Sequence, residues 1–239
     1  MEKLISGVSR LGLQFETGQL EQFEVFYREL TAWNKRINLT SITGYEEVQV
    51  NHFLDALTLV LAWQPPQRNN RLRIIDIGTG AGIPGIPLKI IFPDLRLVLL
   101  ESTAKKAVFL KHLCEQLDID DVEVVTGRAE EIAHREQYRE QFELVLSRAV
   151  APLPTLVELT LPFCTAGGIF IAYKKGDIET ELEQARNAIN ILGGKLQGIT
   201  TVDLPEFPGR RCLVVVDKIS PTPDKYPRRP GMPSKRPLS

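Results

Sequence analysis

The sequence predicts an α/β fold: a mostly parallel sheet covered by helices, ending in a C-terminal antiparallel hairpin and preceded by an N-terminal helical extension. Three observations carry this. From residue 72 onward, short near-continuous apolar runs alternate with helical patterns, as expected of strands buried on both faces. Ahead of that point, apolar residues recur at three- and four-residue spacing. Near the C-terminus, two β-rich runs at 196–204 and 211–219 are joined by a short Pro/Gly loop.

Each element follows in order. Leu20, Phe23, Phe26, Tyr27, Leu30 and Trp33 mark one face of a helix, with Thr17 as its expected N-cap. A polar turn covers 34–44. A second amphipathic helix is expected over 46–63, with Val50, Phe53, Leu54, Leu57 and Leu61 inward. Pro65, Pro66 and Gln67-Arg68-Asn69-Asn70 read as a linker. Strands are expected at 72–77, 95–101, 122–126, 142–147 and 168–173, and helices at 104–117, 153–164 and 178–192. The chain thus divides into an extension (1–66), an α/β domain (67–219) and a basic tail (220–239) whose six prolines make it a poor core former.

Composition narrows the function. With 239 residues, 43% hydrophobic and 25% charged, the chain is globular, not disordered. A net charge of −1 argues against a protein that coats polyanions. No apolar run reaches the roughly 18 residues that span a bilayer, and residues 1–10 lack a secretory core, so a cytoplasmic protein without a membrane partner is expected. Cys114, Cys164 and Cys212 are isolated and odd in number, and His52, His112 and His134 are scattered, so no metal site is expected. Cys164 and Cys212, placed in a helix and a strand, read as small core residues.

The strongest local signal is Asp76-Ile77-Gly78-Thr79-Gly80-Ala81-Gly82-Ile83-Pro84-Gly85, a buried strand running into a turn with four glycines in eight residues. Glycine permits positive φ and close approach to a ligand, which would lie beyond the carboxyl end of the first strand. Two cofactors compete. Gly80 to Gly85 matches the dinucleotide GxGxxG pattern, with Glu101 lying 19 residues after Gly82 as a ribose acid. An acid two residues before the first glycine instead resembles the first motif of S-adenosylmethionine (SAM) methyltransferases, where a carboxylate near the turn favours a cationic ligand.

Other strand ends add candidates. Glu101 suits ribose hydroxyls for either cofactor. The Ala129 N–H and the Glu130 carboxylate, after the third strand, can read adenine edges; the competing reading is an acidic first helical turn. Arg148, ending the fourth strand, is the singular residue of the site, because neither an Asn-Pro-Pro-Tyr type motif nor a strand-end Cys is present. Its competing reading is a structural ion pair. His52 and Asp55, three apart on the second helix, read as a capping or interhelix contact and stay outside the site.

Five motifs in order then resemble one family. They are Trp33-Asn34-Lys35-Arg36-Ile37-Asn38-Leu39-Thr40, the glycine turn, Gly127-Arg128-Ala129-Glu130, Ser147-Arg148-Ala149 and Tyr226-Pro227-Arg228-Arg229-Pro230-Gly231. The family is the bacterial ribosomal RNA small-subunit methyltransferase G family, also called glucose-inhibited division protein B. That resemblance implies a Rossmann-like SAM-methyltransferase fold and methylation of guanine N7 in the 530 loop of 16S ribosomal RNA, on naked RNA or the small subunit. It places SAM contacts on Gly78, Ile83, Glu101, Ser102, Thr103, Ala129, Glu130 and Arg148, with Arg148 also the catalytic candidate.

Guanine N7 carries an in-plane lone pair and needs no general base, which suits a site without an evident catalytic His or Cys. Acidic groups are expected near the mouth, to tolerate the product's positive charge. RNA contacts are expected at Arg210, Arg211, Arg228, Arg229, Lys235 and Arg236, with Tyr226 stacking a base. Residues 208–239 hold eight Lys+Arg against two Asp+Glu, a local +6 that leaves −7 on the rest. A monomer is expected. The alternatives are an NAD-dependent oxidoreductase and a SAM-binding scaffold without turnover.

Overall fold

A computed structural model describes residues 1–64 and 72–238. The expected linker at 65–70 lies outside the described residues.

Seven strands form one sheet in the order β3-β2-β1-β4-β5-β7-β6. They are β1 (Arg73–Ile77), β2 (Arg96–Glu101), β3 (Val122–Thr126), β4 (Phe142–Arg148), β5 (Cys164–Lys175), β6 (Gly194–Val202) and β7 (Arg211–Lys218). The pairs among β1 to β5 are parallel, and β7 runs antiparallel between β5 and β6. Strand order reverses at β1, which sits between β2 and β4. A ligand crevice in such a sheet opens at the carboxyl ends flanking that reversal.

Alternation along the strands assigns the two faces. Ile74, Leu97, Leu99, Leu144, Leu146, Ile171 and Leu213 point to one core, together with Leu4, Val8, Phe23, Phe26, Phe53 and Leu57 of the N-terminal helices. Ile75, Ile77, Val98, Leu100, Val145, Phe170 and Val214 point to the other, under helices that bring Leu156, Val157, Ala185 and Ile189. The N-terminal extension therefore closes one face of the sheet and shares its core.

Three helices build the extension. Helix α1 (Glu2–Arg10) buries Leu4, Gly7 and Val8. A Cβ on Gly7 would collide with the Leu54 side chain, so glycine lets this helix lie directly on its neighbour. Helix α2 (Gln19–Asn34) buries Phe23, Phe26 and Leu30, as its spacing predicts, but Gly18 at φ 88° precedes it and Thr17 does not cap it. Helix α3 departs most from expectation. It begins as an α turn (Tyr45–Val48), widens to a π segment (Gln49–Leu54), returns to α (Asp55–Leu57) and ends as a 3-10 turn (Thr58–Leu61).

Helices α4 (Gly85–Ile91), α5 (Ala104–Leu117), α6 (Ala129–Ile132), α7 (Leu153–Thr160) and α8 (Glu179–Ile191) complete the layers. Cys164 begins β5, not the preceding helix, because α7 stops at Thr160 and a 3-10 turn (Leu161–Phe163) containing Pro162 follows. Beyond β7 the Pro-rich tail is seated on the body and ends in a short helix, α9 (Met232–Lys235).

Candidate functional site

The glycine turn joins β1 to α4. The N–H groups of Gly78 and Thr79 donate to the Leu100 carbonyl at 2.9 and 3.2 Å, tying the turn to β2. Gly78, Gly80 and Gly82 have φ of 69°, 59° and 86°, the left-handed region that only glycine occupies without strain. Asp76 is fully buried behind them. Its Oδ2 accepts from Thr79 Oγ1 at 2.6 Å and from the Gly85 N–H at 2.9 Å. The acid thus latches both limbs of the turn from behind, and any pull on a cationic ligand acts through its field. Its Oδ1 is buried without a partner, and burial pushes the carboxyl up to about 6.

Glu101 ends β2 at 6% exposure. Its Oε2 accepts from the Gly80 N–H at 3.0 Å and its Oε1 from the Thr103 N–H at 2.7 Å. Two fixed donors orient the carboxylate and leave a lone pair on each oxygen for a ligand diol. Ser102 and Thr103 are exposed beside it. Beyond β3, Ala129 and Glu130 open α6. Glu130 is buried, and its Oε1 accepts from the Gly231 N–H at 3.0 Å. Gly78, Ser102, Ala129, Glu130, Val150 and Ser234 line a cleft of about 190 Å³.

Arg148, at the end of β4, lies inside a polar cluster. Its Nη1 donates to Asp55 Oδ2 at 2.7 Å and to the Asn51 carbonyl at 2.9 Å. Its Nη2 donates to His52 Nδ1 at 3.2 Å. His52 Nδ1 also lies 3.1 Å from the Asn51 carbonyl, and its Nε2 pairs with Thr40 Oγ1 at 2.8 Å, so both ring nitrogens are engaged. Burial, and then the neighbouring Arg148 charge, lower the His52 pKa to about 4, so the ring is neutral. From the other side, Arg211 of β7 donates from Nη1 to Asp55 Oδ1 at 2.7 Å and from Nη2 to Asn51 Oδ1 at 2.5 Å. One carboxylate thus bridges two arginines from two strands.

The cluster has a local origin in sequence. Asn34 Oδ1 accepts from the Leu39 and Thr40 N–H groups, and its Nδ2 donates to the Thr40 carbonyl. That side chain shapes the 34–40 loop and sets Thr40 against His52. The π segment and the turn after it present Asn51, His52 and Asp55 toward the strand ends. Sequence reasoning left His52 and Asp55 out. The signals that pointed to them were the Asn34–Thr40 motif and their own i, i+3 spacing.

A second cleft, of about 350 Å³, meets the first at Gly78 and is lined by Thr40, His52, Ile83, Lys106, Arg148 and Lys175. A third, of about 220 Å³, lies on the other side of Arg148 beside Tyr173 and Arg211. The second cleft's lining holds three cations and no carboxylate. The expectation of acidic groups near the mouth is not met by this lining; the acids nearby, Asp55, Asp76 and Glu101, are buried.

The expected RNA-facing residues divide. Arg210, Arg229, Lys235 and Arg236 are exposed. Arg211 is not: it is 5% exposed and engaged with Asp55. Arg228 turns inward, donating from Nε and Nη2 to Glu158, whose side chain is fully buried. Tyr226, at 7% exposure, packs in the core and presents no free face for a base. Burial pushes the Cys164 thiol up to about 12 and raises that of Cys212. Among the described residues no group of three or more His, Cys, Asp or Glu is placed to hold a metal ion. No helix among them is long and apolar enough to cross a membrane.

Residues 19–208 match the family model described as rRNA small subunit methyltransferase G. A protein named ribosomal RNA small subunit methyltransferase G from Dehalococcoides mccartyi (strain CBDB1) is 49% identical over 238 residues, covering 100% of both chains. The protein of that name from Roseiflexus castenholzii (strain DSM 13941 / HLO8) is 48% identical over the same span. In fold, the chain is similar to a predicted O-methyltransferase from Agrobacterium tumefaciens, with a TM-score of 0.54, 21% identity and coverage of 70% of this chain and 81% of that one. SAM therefore takes the place left open between two cofactors by the glycine pattern.

Proposed function

The chain belongs to the rRNA small subunit methyltransferase G family and is a SAM-dependent rRNA methyltransferase; from that premise we propose that it methylates guanine N7 in the 530 loop of 16S rRNA, at the junction of its two clefts. The observation that carries this reading is that the clefts meet at Gly78, with Arg148 lining the second. The residues fit SAM. A Cβ on Gly78 would fall 2.5 Å from Val150 Cγ2, so glycine keeps the junction open, and Glu101 is pre-oriented for a ribose. Gly78, Glu101, Ser102, Thr103, Ala129 and Glu130 would hold the adenosine. The turn, Ile83 and Arg148 would face the methionine end.

SAM supplies an activated methyl group. The protein's part is orientation and exclusion of water, effects worth roughly 7–11 kcal/mol. Guanine N7 has no proton to lose, and no residue here is poised to take one: His52 is committed at both nitrogens, and the buried thiols stay protonated. Arg148, fixed by Asp55, Asn51 and His52, orients an oxygen of the target nucleotide or of the cofactor. The methylated base is a cation, and a cleft lined by Lys106, Arg148 and Lys175 holds it less firmly than the neutral base, which favours release. Arg210, Arg229, Lys235 and Arg236 meet the RNA backbone. The enzyme acts as a cytoplasmic monomer on the small subunit or its RNA.

Two measurements test this. Mapping rRNA from a strain lacking the enzyme should show one lost N7-methylguanine, in the 530 loop; a loss elsewhere overturns the assignment. Arg148→Ala should lower methyl transfer by about a hundredfold or more in a folded protein, the scale of a misplaced reacting group. Near-wild-type turnover removes Arg148 from the site.

A further inference from the structure

The chain after β7 does not leave the body. Lys218 Nζ, almost fully buried, donates to Glu140 Oε1 at 2.7 Å and to Thr222 Oγ1 at 2.6 Å. Arg139 donates to the carbonyls of Thr222 and Tyr226 at 2.9 Å each. Arg228 then fixes itself to Glu158, an acid that would be costly to bury unpaired. These anchors carry the segment across α6 and α7 to the first cleft. There the Gly231 N–H meets Glu130 at 3.0 Å, and Ser234 joins the lining.

We propose that residues 230–236 form the outer wall of the adenosine end of the cofactor site, so that the basic tail contributes to SAM binding and is not solely an RNA arm. The inference rests on the assignment of SAM to the first cleft. The Gly231 N–H and Arg128 Nη2 meet the same oxygen of Glu130 at 3.0 and 3.4 Å, so the tail supplies the shorter of the two bonds that orient this acid in the cleft it lines. Ser234 shares the lining of this cleft of about 190 Å³ with Gly78, Ser102 and Ala129, so a bulky side chain at 234 would compete with a nucleoside for the space. The exposed Arg229 carries charge on the same segment without lining the cleft.

The experiment compares SAM affinity by calorimetry in the full chain, Ser234→Trp, a truncation after Arg229, Arg229→Ala and Glu101→Gln. Ser234 is exposed, so its replacement does not disturb folding; the truncation keeps the Thr222, Tyr226 and Arg228 anchors. Ser234→Trp and the truncation should each weaken SAM by about tenfold or more, the scale of overpacking one wall or losing it. Arg229→Ala should leave SAM affinity unchanged. If both altered proteins bind SAM as the full chain does, the wall assignment is overturned. If the truncation does not fold, Ser234→Trp decides alone. Should Glu101→Gln also bind normally, the placement of SAM in the first cleft fails; if only Glu101→Gln weakens binding, that placement stands and the wall falls.

Discussion

His52 and Asp76 sit close to the same turn and titrate in opposite senses. Burial lowers the His52 pKa from 6.5 to about 4, so between those values the folded state binds fewer protons than the unfolded chain. The contribution is complete above about pH 6.5 and is lost as pH falls toward 4, on the order of 3 kcal/mol in all. Burial raises Asp76 from 3.8 to about 6, so the folded state binds more protons across that window and stability from this group falls as pH rises through it. The two slopes offset each other in the native protein. His52→Gln removes one of them. Its stability relative to wild type, read from urea midpoints, should therefore improve as pH drops from 6.5 to 4. A difference that is flat with pH would show that His52 is not held neutral. No periodicity in the sequence marks a histidine whose two nitrogens are both engaged, one by a loop threonine and one by an arginine almost a hundred residues away.

At the scale of elements, Asp55 ties α3 to β4 and β7 through two buried ion pairs at 2.7 Å. Removing one partner from such a buried set strands the others, and the usual cost is about 3–5 kcal/mol. Asp55→Ala should lower the unfolding free energy by that amount and also reduce turnover at saturating SAM, since Arg148 loses its anchor; a variant that loses neither would make the bridge incidental. The strands themselves were plain in the sequence. Residues 122–126 are β3 as expected, and the other strand ends differ by only a few residues: apolar runs mark the strands buried on both faces, and β-branched residues between turn signals mark the half-exposed edge strands β3 and β6. Helix α3 was not plain. A period of 3.6 residues describes its buried side as far as Leu57, while Leu61, expected inward, is exposed; the π segment that turns Asn51 and His52 toward the sheet leaves the apolar count unchanged and so leaves no mark. The tail departs from its expectation for a related reason. Proline content describes what a segment does by itself, whereas Arg228, Tyr226 and Thr222 are held by partners on distant elements.

For the whole molecule, the near-zero net charge conceals a polar arrangement: the last 32 residues carry +6 and the rest −7. Three of the eight basic residues in that stretch are spent on internal acids: Arg211 on Asp55, Lys218 on Glu140 and Arg228 on Glu158. What remains outside is a small number of cations, enough for a local grip on RNA and too few for a coat. Each phosphate contact on a single strand contributes about 0.7 to the slope of log affinity against log salt. Replacing Arg229, Lys235 and Arg236 together by Gln should therefore reduce that slope by about 2, measured on small-subunit RNA across a salt series. An unchanged slope would move the RNA to another face.

The contact between Gly231 and Glu130 spans 101 residues of sequence. A chain made from its N-terminus lays down the glycine turn, Glu101 and Glu130 well before the segment that closes the cleft around them. During synthesis, then, on the proposed placement of SAM, the cleft stands open on one side after the strand-end residues that line it have emerged, and that side is supplied only when residues 230–236 follow. A nascent enzyme stalled short of residue 231 would have a formed sheet and a formed turn, yet a leaky grip on its cofactor, so competence to methylate would arrive late.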